Sequence, residues 1–325
     1  MWIADRWNDY QVLDASGGEK LEQWGPYRLI RPDPQVIWNT PKGADWKRVN
    51  AHYHRSSKGG GSWDFFDLPE TWEVRYPLAG GVSPDAAGSS GSSASDGDAP
   101  LTFRLKPFRF KHTGLFPEQA VNWDWFSGLI RARSAAEGRQ LKVLNLFAYT
   151  GGATLAAAKA GAAVTHVDAA KGMVTWAREN AAASGLADAP IRWLVDDCMK
   201  FVAREERRGN HYDGIIMDPP SYGRGPGGEV WKLEDTLYDL VCACEKIFRE
   251  DGTFFLINSY TTGFAPGVLD YLLKKVIAPG RGGVTEADEI GLPVGAGDGA
   301  AGDPGTGAAG RLFLPCGSSG RWSFR

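Results

Sequence analysis

The sequence predicts an α/β protein: a doubly wound, mostly parallel sheet in the C-terminal part, preceded by a β-rich accessory domain and a β-hairpin. Three observations predict it. From about Trp123 onward, short apolar runs alternate with helix-like segments, which is the pattern of parallel strands joined by crossover helices. Glycines or acidic residues follow these runs directly, as in Gly151, Asp168 and Asp218. Residues 1 to about 70 lack this rhythm and are rich in Trp, Pro and Gly. At 325 residues and 43% hydrophobic, the chain can bury one full α/β core and a smaller domain.

Residues 1–70 hold short alternating pieces such as Tyr27-Arg28-Leu29-Ile30-Arg31 between the turn signals Ser16-Gly17-Gly18 and Arg31-Pro32-Asp33-Pro34, and are expected to form a small β-rich domain. Residues 71–118 are expected to be a hairpin with arms at 72–76 and 101–106. Its tip, 79–100, is a Ser/Gly/Ala/Asp tract with nothing apolar to bury and is expected to be disordered. Residues 119–325 form the α/β domain, with strands expected at 142–147, 163–168, 191–195, 214–217 and 253–257. Helices are expected over 154–160, ending at Gly161, and over 170–184, ending at Gly185. The tract 295–310 is almost entirely Gly, Ala, Asp, Pro and Thr and reads as a loop before last strands at 311–314 and 321–325.

The net charge of −3 provides no global positive field, so a polyanionic partner must meet a local basic surface. Cys198, Cys242, Cys244 and Cys316 show no CxxC pairing and are expected as free thiols with no metal role. The first ten residues carry Asp5, Arg6 and Asp9 and no apolar run of signal-peptide length, and no span reaches the roughly 20 apolar residues that cross a bilayer. The expectation is a soluble, cytoplasmic protein without a membrane partner.

Ligands of an open parallel sheet bind beyond the carboxyl ends of its strands, where the candidate residues fall. Gly151 and Gly152 close the loop after the first strand, where a missing Cβ lets the backbone approach a ligand at a helix N-terminus. Adjacent glycines do not match the dinucleotide GxGxxG, which counts against a nicotinamide or flavin enzyme. Asp168 ends the second strand, where a carboxylate can accept both ribose hydroxyls. Asp197, preceded by Asp196, follows the third and can accept an adenine amino group. For each aspartate the plainer alternative is a helix N-cap. Ribose and adenine without a pyrophosphate loop suggest S-adenosyl-L-methionine. The fourth strand runs into Asp218-Pro219-Pro220-Ser221-Tyr222, where two prolines force the chain out of the sheet in a fixed turn. Asp218 and the turn's carbonyls would accept hydrogen bonds from an attacking amino group, with Tyr222 stacking on a flipped base.

The run Leu144-Asn145-Leu146-Phe147-Ala148-Tyr149-Thr150-Gly151-Gly152, the pair Asp196-Asp197 and the turn Asp218-Pro219-Pro220-Ser221-Tyr222 resemble the class I S-adenosylmethionine-dependent methyltransferases, in particular the bacterial 23S ribosomal RNA large-subunit branch, over roughly residues 70–260. Gly114-Leu115-Phe116-Pro117-Glu118-Gln119 resembles the segment that covers the cofactor's methionine end in that branch, which adds Gln119 to the cofactor set. The resemblance implies a seven-stranded, Rossmann-like sheet, an N-terminal RNA-binding module and a central hairpin. Relatives that methylate cytosine C5 carry a cysteine just after the fifth strand, where this chain reads Asn258-Ser259-Tyr260-Thr261. Serine is a far poorer nucleophile at neutral pH, so a base nitrogen or exocyclic amine is the expected acceptor.

Two segments interleave basic residues with aromatics, as contacts to phosphate and base require: 42–58, with Lys42, Trp46, Lys47, Arg48, Tyr53, Arg55 and Lys58, and 104–112, with Arg104, Lys106, Phe108, Arg109, Phe110 and Lys111. A 23S RNA or large-subunit particle is the expected partner. Arg224, Lys232 and the glycines of 223–228 would form a lip over the target base. The alternatives are a methyltransferase acting on a small molecule or protein, and a non-catalytic RNA-binding or assembly protein.

Overall fold

The computed structural model describes residues 1–56, 60–78, 99–108, 111–224, 230–295 and 312–324. The interiors of the tracts 79–100 and 295–310, and residues 225–229 of the expected lip, lie outside the described residues. The chain divides into two units, one comprising Met1–Pro77, Thr102–Val121 and Ile290–Cys316, the other Leu78–Leu101, Asn122–Glu289 and Gly317–Arg325.

In the first unit the alternating pieces form β1 (Trp2–Ile3), β2 (Tyr10–Ser16), β3 (Glu19–Trp24), β4 (Tyr27–Pro32), β5 (Ala51–Arg55), β6 (Gly61–Phe65) and β7 (Trp72–Tyr76), followed by β8 (Leu101–Leu105). The strands β2 to β4 form an antiparallel meander, β5 joins β4 in parallel, and β6 closes the row antiparallel to β5. The strands β7 and β8 pair separately. Leu21, Ile30 and Trp46 form an apolar cluster here. Beside it lies a buried ionic group: Arg31 grips Glu22 through Nε (2.5 Å) and Nη2 (2.8 Å), and the Tyr10 hydroxyl donates to Glu22 (2.7 Å). Burial pushes Glu22 up, but the Arg31 guanidinium and the Lys20 ammonium outweigh it and hold the carboxyl at about 2. Gln119 lies in this unit, buried in the short helix Pro117–Gln119, where its backbone N–H donates to Phe116 O (3.1 Å).

The second unit is built from α1 (Ala120–Glu137), β9 (Lys142–Leu146), α2 (Gly152–Lys159), β10 (Ala163–Asp168), α3 (Lys171–Ala183), β11 (Ile191–Val195), α4 (Cys198–Arg208), β12 (Gly214–Met217), β13 (Tyr222–Arg224), β14 (Val230–Lys232), α5 (Leu233–Ile247), β15 (Phe254–Ser259), α6 (Pro266–Leu272), β16 (Val284–Val294) and β17 (Leu312–Ser323). Its sheet runs β11-β10-β9-β12-β15-β17-β16. The first five strands are parallel, and β17 runs antiparallel to β15. The predicted doubly wound, mostly parallel, Rossmann-like arrangement is found, within a sheet of more than the seven strands expected. Strands covered on both faces read as near-continuous apolar runs, and all residues of β12 and β15 are buried, β15 ending in the buried polar pair Asn258 and Ser259. One side of the sheet meets Phe201, Leu237, Leu240, Val241 and Leu269 in the main core cluster. No helix of the described residues is long and apolar enough to cross a membrane.

The strands β16 and β17 are each divided between the units. Within the first unit, Trp2 and Ile3 pair with Ile290 and Gly291, and Val12 with Val294. The sequence suggests two short strands at 311–314 and 321–325, with the glycines and serines of 317–320 as a break. One strand spans them instead. The reason is close packing: a Cβ on Gly317 would stand 2.9 Å from Ser259 O, and one on Gly320 would stand 2.7 Å from Leu269 Cβ. These glycines admit neighbours rather than turn the chain.

Candidate active site

The parallel register places the strand ends in one row. Val167 pairs with Leu146, Leu146 with Met217, and Met217 with Ile257, while Asp168 pairs with Val195. Phe147, Asp168, Asp196 and Asp218 therefore stand side by side at the sheet's carboxyl edge, with Asn258 at the next position inside β15, where it is still paired with Ser319. Strands lie about 4.8 Å apart, so the edge from β11 to β12 spans roughly 14 Å, enough for an extended ligand rather than a single ion.

The loop after β9 is wound tightly. Phe147 (φ 54), Tyr149 (φ 50) and Gly151 (φ 90) are all left-handed, and such non-glycine residues persist only where the surroundings over-determine them. Tyr149 N–H donates to Asp168 Oδ2 (2.9 Å) and Ala148 N–H to Val167 O (3.1 Å). The second Asp168 oxygen accepts Ala170 N–H (2.8 Å). Burial pushes the Asp168 carboxyl up, while these two amide donors oppose the shift. The glycines of this loop also admit protein neighbours. A Cβ on Gly151 would lie 3.0 Å from Ala177 Cβ, and one on Gly152 would lie 2.7 Å from the Trp123 ring. Their missing side chains let the loop sit down on α3 and α1, with α2 starting at Gly152. The Thr150 carbonyl accepts Asn180 Nδ2 (2.9 Å), which ties the same loop to α3.

A buried polar chain underlies the loop. Asn145 Nδ2 donates to Thr154 Oγ1 (2.9 Å), and Thr154 Oγ1 lies 2.9 Å from His166 Nδ1. A hydroxyl carries one proton and two lone pairs, so Thr154 accepts from Asn145 and has either a proton or a second lone pair for Nδ1. Nε2 has no partner among the described residues, and the Trp193 ring lies 4.8 Å from the imidazole. Burial, and then the charge of Arg178, hold His166 at about 3, so it is neutral at physiological pH.

Asp197 caps α4, accepting Lys200 N–H (2.8 Å), and Asp196 accepts Asp197 N–H (2.9 Å) and pairs with Arg204. Capping therefore accounts for one oxygen of Asp197, as the plainer alternative had it. Cys198 follows within this turn, and burial raises its thiol far above the usual range. It is no nucleophile at neutral pH.

Beyond β12, Asp218 is half-buried, Pro219 buried and Pro220 exposed. The turn is anchored after Asp218: Pro220 O accepts Trp231 Nε1 (2.6 Å), Ser221 O accepts Leu233 N–H (3.1 Å), and Thr261 Oγ1 donates to Ser221 Oγ (2.7 Å). One lone pair of the Pro220 carbonyl is thus engaged by the protein. Tyr222 opens β13, pairs with Lys232 of β14 and is 52% exposed. Trp231 lies opposite Gly223, and its ring is 5.1 Å from that of Phe147. Trp231, Thr261 and His166 were not singled out from the sequence. The available signal was a Trp flanked by Val230 and Lys232 just after a glycine tract.

In the two basic segments, Lys42 pairs with Glu19 (2.6 Å) and stacks over Trp46 (4.2 Å), His52 pairs with Glu19 (2.7 Å), and Arg104 pairs with Glu73 (3.3 Å). Lys111 Nζ donates to Pro32 O (3.0 Å), and burial followed by the charge of Lys20 brings it down to about 8. Lys58, Arg109 and Phe110 lie outside the described residues.

The strand edge offers carboxylates for hydroxyl and amino donors and a loop of strained backbone. Among the described residues no group of His, Cys, Asp or Glu could hold a metal ion. That donor set suits a nucleoside cofactor. The family described as S-adenosylmethionine-dependent methyltransferase matches residues 92–255. A ribosomal RNA large subunit methyltransferase K/L of Shewanella frigidimarina is 28% identical over 159 residues, which are 48% of this chain and 21% of that protein. Its namesake from Pseudoalteromonas atlantica is 34% identical over 159 residues, with the same 48% and 21% coverage. The chain thus spans about a fifth of the length of these curated relatives. The crystal structure of a SAM-dependent methyltransferase from Agrobacterium tumefaciens superposes with a TM-score of 0.82 at 34% identity, covering 99% of this chain and 93% of that one. The chain belongs to the S-adenosylmethionine-dependent methyltransferases.

Proposed function

We propose that this methyltransferase modifies ribosomal RNA, placing the methyl group on a base nitrogen or exocyclic amine. The observation that carries the reading is the Asp218-Pro219-Pro220 turn, which leaves β12 beside the strained loop of β9 in the adjacent strand. The names of the curated relatives support RNA as the substrate class. The cofactor supplies a methyl group on a sulfonium, an electrophile strong enough that positioning provides most of the acceleration.

In this reading the loop of Phe147, Ala148, Tyr149, Thr150, Gly151 and Gly152 holds the cofactor. Asp168 accepts its ribose hydroxyls, Asp196 and Asp197 receive the adenine end, and Gln119 covers the methionine end. Asp218 accepts a hydrogen bond from the attacking amine and orients its lone pair. Pro219 and Pro220 fix the turn, and Tyr222 offers an exposed ring for stacking on the base. The segments 42–58 and 104–112 contact RNA. Ser259 stands where a C5-methylating enzyme needs a thiolate, and the buried Cys198 cannot replace it.

One observation favours a second reading, methylation of a small molecule or protein side chain. Lys42, His52 and Arg104, counted as part of an RNA footprint, are each paired with a carboxylate. The test is transfer of radiolabelled methyl from S-adenosylmethionine to 23S and 16S RNA, free and in subunits, from cells lacking this protein, with Asp218→Ala alongside. Label in one RNA that is lost in the variant supports the first reading. Intact cofactor binding with no labelled RNA transfers support to the second.

A further inference from the structure

Neither Pro219 nor Pro220 has an N–H with which to anchor the turn, so donors from elsewhere hold its carbonyls. The Trp231 indole N–H does this at Pro220 O, over 2.6 Å. The same ring rests 5.1 Å from Phe147, inclined by 53°. Phe147 is one of the two left-handed non-glycine residues of the loop after β9, and both rings pack partly buried against the main core cluster. A shift in that loop would therefore move a ring whose neighbour is bonded to the turn after β12. Pairing between β13 and β14 sets Trp231 opposite Gly223, which fixes the indole's approach to Pro220.

We propose that Trp231 is a positioning residue that couples occupancy of the loop after β9 to the geometry of the Asp218-Pro219-Pro220 turn. The proposal rests on the reading of that turn as the methyl-acceptor site. The turn is held by Trp231, Leu233 and Thr261. When ligand fills the loop, Phe147 is immobilised, the indole loses its freedom to slide, and the Pro220 carbonyl stiffens with it. The acceptor site is thus best ordered when there is a methyl group to give, which is the preorganisation that in-line displacement needs.

The experiment is amide hydrogen exchange of wild type, Trp231→Phe and Thr261→Val, each with and without S-adenosylhomocysteine, alongside calorimetric binding of that probe. Phenylalanine keeps a ring against Phe147 and removes the donor to Pro220. In wild type, the probe is expected to slow exchange in 147–155 and, by about fivefold or more, at the Ser221 to Arg224 amides, a local-opening effect. In Trp231→Phe, protection of 147–155 stays and that of the turn falls below about 1.5-fold, with Kd within about threefold of wild type. Thr261→Val loosens the same turn from the other side, so its baseline exchange rises while the probe-dependent slowing persists. Equal turn protection in wild type and Trp231→Phe would overturn the proposal, as would no turn protection in wild type or an equal loss in both variants. No acceptor is present in this experiment, so failure to methylate RNA would sink the RNA reading and leave this result to be judged separately.

Discussion

Replacing His166 by asparagine should flatten the acid limb of the stability profile. Asparagine keeps a polar group facing Thr154, whose Oγ1 lies 2.9 Å from Nδ1 in the wild type, and cannot take up a proton. In the wild-type fold the imidazole titrates at about 3, against an ordinary value of 6.5. As pH falls below 6.5 the unfolded chain binds this proton and the folded chain does not. Stability is therefore full above pH 6.5 and declines until the folded value near 3 is passed. The slope is about 1.4 kcal/mol per pH unit, so wild type should lose about 2 kcal/mol between pH 7.5 and 5 through this residue. The assay is urea-dependent exchange of the slowest amides of β9 and β10, which reads the second unit by itself. The asparagine variant should start lower, because it leaves a void, and lose about 2 kcal/mol less than wild type over that interval. Equal losses would mean that the buried imidazole is protonated in the fold and would refute the assignment of a neutral ring.

Further expectations concern packing and charge. Gly152→Ala places a methyl 2.7 Å from Trp123 and should cost about 1–3 kcal/mol, with weaker binding of S-adenosylhomocysteine; an unchanged melting temperature and affinity would contradict it. Glu22→Gln leaves the buried Arg31 without its carboxylate, while Lys20 keeps only Asp33, and should destabilise the first unit by about 3–5 kcal/mol, measured by exchange in β2 to β4. The native carboxyl titrates at about 2 against 4.5, so its contribution is present above pH 4.5 and lost as pH falls toward 2. Asp218→Ala should keep its affinity for S-adenosylhomocysteine within about threefold while label transfer falls by about a hundredfold or more.

The strands β10, β11 and β12 were legible to the residue because each is a short β-branched or apolar run ended by Asp, although only β12 is buried throughout as a central parallel strand is. The eleven residues of β16 alternate with Glu286, Asp288 and Glu289 and carry Gly291 and Pro293, so no such run exists there. At the site, Asp168, Asp196, Asp197 and Asp218 were legible from their place at strand ends. Trp231 was not, because its partners, Pro220 and Phe147, lie 11 and 84 positions away (231 − 220 and 231 − 147) and are reached only through hairpin pairing. The chain Asn145, Thr154 and His166 was hidden for a similar reason: three polar residues at buried positions of β9, α2 and β10 read locally as isolated exceptions. Gly151 and Gly152 were legible as a necessity, but whether a ligand or Trp123 fills the missing side chain's space is a tertiary fact.

The division of β16 and β17 between the two units bears on biosynthesis. The first unit needs residues up to Cys316, although its opening segment ends at Pro77. At about 5–20 residues per second, synthesis of the intervening 239 residues (316 − 77) takes on the order of 10–50 s. Through that interval β2 to β6 stand on the ribosome without the strand that Val12 pairs with, Val294. The second unit likewise waits for Gly320 and Trp322 to pair with β15. Strands β2 to β6 thus precede by more than 200 residues the segment that completes their unit, and a stop before residue 290 would deprive both units of strands.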